Sequence, residues 1–193
     1  MNKQISSDAV LHATASMSAA IAIAAGAAEQ AHAHGRYVVE CRDADGNVKW
    51  NDTIENIVVN QGKNFALDTL LAGSAYTAAV VMGLKGTGTA VVGDTQASHA
   101  GWLEVGLANA PAYSGSRKTP AFSAAASGSK QTSTAVSFGF TSGGTVAGCF
   151  INLAGAATID GTTGNLYSAG DFTGGSKTVA NGDTLQVTWT GSL

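Results

Sequence analysis

Four histidines, two cysteines and a short acidic run are the residues of this 193-residue chain whose types could do chemistry, and their spacing limits what that chemistry is. His32 and His34 stand one residue apart, so on a strand both would share a face. His12 and His99 are remote in sequence, and no nearby cysteine or carboxylate cluster completes a metal shell. They read as solvated linker histidines. Asp43-Ala44-Asp45-Gly46-Asn47 imitates the start of a calcium loop, but the further acidic ligands and the closing glutamate are missing at the required spacing, which leaves a plain turn. Gly83, Gly86, Gly88 and Gly93 lack the Lys-Ser/Thr ending and the following helix of a phosphate-binding loop. No Gly-x-Ser-x-Gly elbow presents a serine, and no carboxylate pair stands out for acid–base work. The sequence therefore predicts neither enzymatic activity nor a cofactor or metal. Cys41 and Cys149 lie in strand-like runs, YVVEC and AGCFINL. They read as two small buried hydrophobes or as a pair facing each other across a core, and the sequence does not choose.

The elements that would carry these residues are mostly strands. Residues 36–42 and 48–50 flank the Asp-Gly-Asn turn and predict a hairpin. Further strands are expected over 79–84, 102–105, 132–141, 145–153, 165–172 and 184–190, each bounded by Gly, Ser, Asn or Asp. Alternation is clearest at Val136, Phe138 and Phe140 and at Leu185, Val187 and Trp189, the pattern of strands with one dry face. Ile57, Val58 and Val59 read as a strand end, and Asn60-Gln61-Gly62 as the break after it. Phe65, Leu67, Leu70 and Leu71 then fall at helical spacing and predict a short tucked helix with one buried face, capped by Gly73. Residues 106–130, with Pro111, Tyr113, Arg117, Lys118 and Pro120, read as an extended loop lying over a surface, either facing a partner or as a mobile excursion without one.

Residues 1–34 form a second region. Val10, Met17 and Ile21 fall near one side of a helical wheel with small residues between them, so an Ala-rich helical arm able to pack closely is expected. AIAIAAGAA followed by AHAHG imitates a secretory signal, but Lys3 is the only positive charge in a long leading segment that also contains Asp8 and His12. Asp8 and Glu29 bound a run too rich in alanine and serine to read as a membrane span. The division expected is an arm over 1–34 and one β-sandwich domain over 35–193. A net charge of -3, with 12% charged residues and scattered Lys and Arg, gives no footprint for a nucleic-acid backbone. Much of the 45% hydrophobic content is alanine, and 25 glycines indicate small side chains and many turns, so contacts with other chains are expected to support stability.

Several blocks together resemble a known family. Tyr37-Val38-Val39-Glu40-Cys41, the 43–47 turn with Lys49-Trp50, Asn56 with Gly62-Lys63-Asn64, Leu67-Asp68 and Ala75-Tyr76-Thr77-Ala78 occur in order. Gly83-Leu84, Ser98-His99-Ala100-Gly101-Trp102, Phe172-Thr173-Gly174-Gly175 and Asn181-Gly182-Asp183-Thr184-Leu185 follow. This set resembles the capsid decoration, or cement, proteins of tailed bacteriophages, over residues 35–190, with no family pattern in the Ala-rich leader. The resemblance implies an antiparallel β-sandwich or jelly roll on the outer surface of the phage head, bound to the major capsid protein as a dimer or trimer after assembly in the host cytoplasm. Val10, Met17 and Ile21 of the arm and Pro111, Tyr113, Arg117 and Lys118 of the long loop are the expected partner-binding residues. Two other classes share the composition: another virion part such as a tail-tube, head-fibre or adhesin-like protein, and a carbohydrate-binding module using Trp50, Trp102 and Trp189 as a stacking platform.

Overall fold

A computed structural model describes residues 33–71 and 79–192. The expected arm with Val10, Met17 and Ile21, and the Gly73 cap, lie outside the described residues. The protein is mainly β and antiparallel, with one described helix. In chain order the elements are β1 (His34–Arg42), β2 (Val48–Val58), α1 (Asn60–Leu71), β3 (Val80–Gly88), β4 (Trp102–Val105), β5 (Ser129–Gln131) and β6 (Val136–Gly139). Then come β7 (Gly144–Val146), β8 (Gly148–Leu153), β9 (Asn165–Asp171), β10 (Lys177–Val179) and β11 (Thr184–Ser192).

The main sheet runs β4-β3-β8-β9-β2-β1-β11-β5, with β6 also on β11, while β7 and β10 form a separate pair. β2 is the joint of this sheet. Its residues up to Asn56 pair with β1, and Ile57 and Val58 pair with β9, so one continuous strand joins the 48–50 segment to Ile57 and Val58, which the sequence suggested separately, and it ends before Val59. The fold is sandwich-like, because residues from both sides of this joint bury into one core. Tyr37, Val39, Cys41, Ile54, Phe138, Leu185 and Val187 meet Met82, Leu84, Val105, Cys149 and Ile151 there. The period-two pattern of β6 and β11 made this inner face visible in advance, since every second side chain of a strand points the same way.

The β1–β2 hairpin turns on Asp43, whose Oδ1 accepts the backbone N–H groups of Asp45 (3.0 Å) and Asn47 (2.8 Å), with Gly46 at φ +87°. These hydrogen bonds hold the Asp43 carboxyl below its ordinary range, so the carboxylate serves the turn. The expected 145–153 strand is instead two, β7 and β8. Ala147 leaves the ladder at the joint, its N–H donating to the Lys85 carbonyl and its carbonyl accepting from Phe172 N–H. β10 was not anticipated.

The helix differs from expectation in start and in face. It begins at Asn60, and in its first turn Gly62 lies directly on the Tyr167 backbone, where any Cβ would overlap the carbonyl. Gln61 Oε1 accepts the N–H groups of both Gln96 and Leu166, pinning the first turn to β9 and to the 89–101 loop. Leu67 and Leu71 are 54% and 79% exposed, so these two members of the expected apolar face do not pack, while Phe65 is half-buried.

Candidate functional surface

The sheet presents two very different outer sides. Across β2, β1 and β11 the side chains opposite the core form registered rows, because direct partners in an antiparallel ladder share a face. One row is Glu55, Arg36, Thr190 and Gln131; the next is Thr53, Val38 and Thr188; the third is Asn51, Glu40, Gln186 and Ser137. Val38 at the centre is 41% exposed. The face is broad and carries threonines, amides and charges of both signs. Beneath it lie Tyr37, Val39, Leu185 and Val187, all fully buried, so the backbone that presents the face is anchored to the main core. At one corner His34, Gly35, Arg36, Glu55, Thr190 and Ser192 line a shallow, open depression of about 250 Å³, with Ser192 Oγ and His34 Nε2 2.9 Å apart. It is smaller and more open than the clefts that enclose most of a small ligand.

Across β3, β4, β8 and β9 the corresponding side is covered. Val59, Ala90, Trp102, Phe150, Leu166 and Ala169 form a second core there. Charged residues are sealed into it. Glu104 accepts bidentately from Arg117, at 2.9 Å from Nε and 2.6 Å from Nη2, and both side chains are almost wholly buried. Glu104 Oε2 also accepts Asp160 N–H, and Arg117 donates to the carbonyls of Ala156 and Gly161 while its guanidinium lies 5.4 Å from the Phe150 ring. One fork-shaped cation thus ties the 106–130 loop, β4 and the 154–164 loop together. Asp94 plays a similar part nearby, accepting from Trp102 Nε1 and Val91 N–H, while His99 stacks on Trp102 at 4.0 Å.

Of the residues expected at a partner, the four of the 106–130 loop are described, and three of them lie on the covered side or inside. Pro111, Tyr113 and Arg117 are buried, which corrects the reading of 106–130 as a loop whose named side chains face a partner. Tyr113 packs edge-on against Phe138, and burial pushes its hydroxyl well above the ordinary tyrosine range. Lys118 is half-buried, donates to Ser114 O at 2.6 Å and bridges β3 through Met82. Leu107, 69% exposed, residues 114–116 and residues 124–128 are among the parts this loop shows to solvent.

The remaining candidates are dispersed. The three tryptophans form no common platform: Trp50 packs on Phe172, Trp102 on His99 and Phe150, and Trp189 on Phe122 and Tyr167. Cys41 and Cys149 are buried, unbridged members of the main core. Burial, with help from Asp183, pushes the Cys41 thiol up to about 11, and burial pushes Cys149 up as well, so neither is a thiolate nucleophile at neutral pH. The exposed rows of β1, β2 and β11 were missed as a site because the alternation was read only for its inward half; its outward half carried the signal. Comparisons with protein-family models, with curated proteins and with solved structures give no match for this chain.

Proposed function

We propose that this chain is a non-enzymatic structural protein of a tailed-phage virion, which sits on the outside of the head and braces contacts between major capsid protein subunits. The observation that carries the reading is the registered open face of β2, β1 and β11, backed by a fully buried core. A brace needs area and fixed shape, and a face of small polar side chains with interspersed charges can exchange its water for hydrogen bonds along a subunit seam. The family resemblance of residues 35–190 supports the same role. Copies held by several neighbours on a closed lattice gain effective concentration at each further contact, so modest individual contacts suffice. The Ala-rich leader, with Val10, Met17 and Ile21, is proposed as a second contact, to the shell or to another copy in a dimer or trimer.

Mass spectrometry of separated heads and tails tests the placement. The chain should be enriched with heads, and enrichment with tails would overturn the reading in favour of a tail component. Deleting residues 1–34 should lower occupancy on empty heads; unchanged occupancy would remove the arm from the proposal.

A further inference from the structure

Lys85 is the most unusual side chain in the molecule. It is completely buried, yet it sits on β3 directly beside Gly148 of β8, which in turn pairs with Asp171 of β9. Lys85 and Asp171 are therefore two strands apart, about 10 Å of backbone separation, and the strand between them offers no side chain at the crossing point. A Cβ on Gly148 would overlap the Gly170 carbonyl and lie 3.1 Å from Lys85 Cδ. Through this gap the lysine crosses β8 and its Nζ is in direct contact with Asp171 Oδ1.

The surroundings fix both reacting groups. Gly88 O accepts from Nζ at 2.7 Å and Gly86 O at 3.4 Å, and the Trp102 ring covers the amine with its centroid 5.7 Å away. Ala90 N–H donates to the other carboxylate oxygen, Oδ2, at 3.2 Å. Glu104 stands across from Lys85 on β4, but its carboxylate is taken up by Arg117 and Asp160 N–H. Among the described residues no third side-chain acid or base makes a hydrogen bond or ion pair with either group, and the pair's own atoms are sufficient for one reaction.

We propose that Lys85 and Asp171 condense to an intramolecular isopeptide bond. A proton passes within the contact from Nζ to Oδ1, leaving a neutral amine and a carboxylic acid. The nitrogen lone pair forms the Nζ–Cγ bond, and the charge that develops on Oδ2 is met by Ala90 N–H. A second proton moves from nitrogen to the Oδ1 hydroxyl, the Cγ–Oδ1 bond breaks and one water departs. Nothing is oxidised or reduced and no co-reactant enters. The Asp171 side chain is 36% exposed, which gives the water a way out, while the immobilised amine gains the rate advantage of a reactant held at its target. The product would tie β3 to β9 across β8 and restrict the unfolded chain between residues 85 and 171. This inference is independent of the virion reading.

Intact-mass spectrometry of the purified full chain is the test. The protein should be lighter than its sequence by one water, and a tryptic digest should contain a branched species joining peptide 64–117 to peptide 131–177. Asp171→Asn should release ammonia in place of water and reach the same cross-linked mass, while Lys85→Arg and Asp171→Ala should stay at their sequence masses. Cyclisation at Asp45-Gly46 or Asp160-Gly161 also removes water, but it reverses in mild alkali and yields no branched peptide. A wild-type chain at full sequence mass, with Lys85 cleaved by trypsin and labelled by an amine reagent after denaturation, would overturn the proposal and leave a buried ion pair.

Discussion

The two ends of the sheet handle their outward side chains in opposite ways. Over β2, β1 and β11 the outward residues are threonines, amides and mixed charges left open to water. Over β3, β4, β8 and β9 the same alternation points Phe150, Trp102, Lys85 and Glu104 outward, and the 89–101, 106–130 and 154–164 loops fold over them. Loops cannot cover a polar face cheaply, because each buried polar group needs a partner. Where they do cover it, the partners are built in, as Arg117 for Glu104 and Asp171 for Lys85. Among the described residues the ion pair on the open face is the partly exposed one of Glu40 with Arg42, and the rest of that face stays open to another molecule.

Removing a partner on the covered side should have the largest effect. Arg117→Ala leaves Glu104 buried and uncompensated and should lower unfolding free energy by about 3–5 kcal/mol in chemical denaturation, whereas the joint change Arg117→Met with Glu104→Leu should recover much of it. Similar stabilities for the single and the joint variants would show that the pair does not close this side. Next in size is Gly148→Ala, which forces a methyl against the Gly170 carbonyl and should cost about 1–3 kcal/mol by the same assay.

Acid sharpens the comparison differently. Burial pushes the Asp52 carboxyl up, but hydrogen bonds from Thr173, Lys177 and the N–H groups of Thr53 and Gly174 outweigh it and hold the group below its ordinary range. A depressed folded-state value means the stabilisation is complete above the unfolded-chain value, near pH 4, and is lost as pH falls through the folded one. Denaturation midpoints should therefore drop below about pH 4, and Asp52→Asn should flatten that drop. An unchanged acid limb would remove Asp52 from the account.

The smallest stability effect belongs to the open face. Val38→Lys and Thr188→Lys should change stability by no more than about 1 kcal/mol, because both positions face solvent and only strand preference is disturbed. A larger loss would mean that this face is held by contacts within the chain and is not free.

How much of this was legible in the sequence depended on the period of each segment. Leu185, Val187 and Trp189 announced both strand and buried face, and Asp43 with Gly46 announced the hairpin, because those signals are local. The 106–130 loop was misjudged because Pro111, Tyr113 and Arg117 find their neighbours on β6, β7 and β4, far away in sequence. Leu67 and Leu71 carried a helical pattern, but Gly62 and Gln61 decided which side docks, through close approach and two hydrogen bonds rather than apolar area. Lys85 directly follows the expected 79–84 strand, and nothing local in the sequence marks it as buried. Only the register that sets Gly148 between it and Asp171 explains its burial.

Co-sedimentation of the purified full chain with empty tailed-phage heads, the partner proposed for it, tests the central claim most directly. The account predicts saturable binding that Val38→Lys with Thr188→Lys strongly weakens while the variant keeps its wild-type denaturation midpoint. Failure of the wild-type chain to sediment with heads, or binding untouched by the paired substitution, would contradict it.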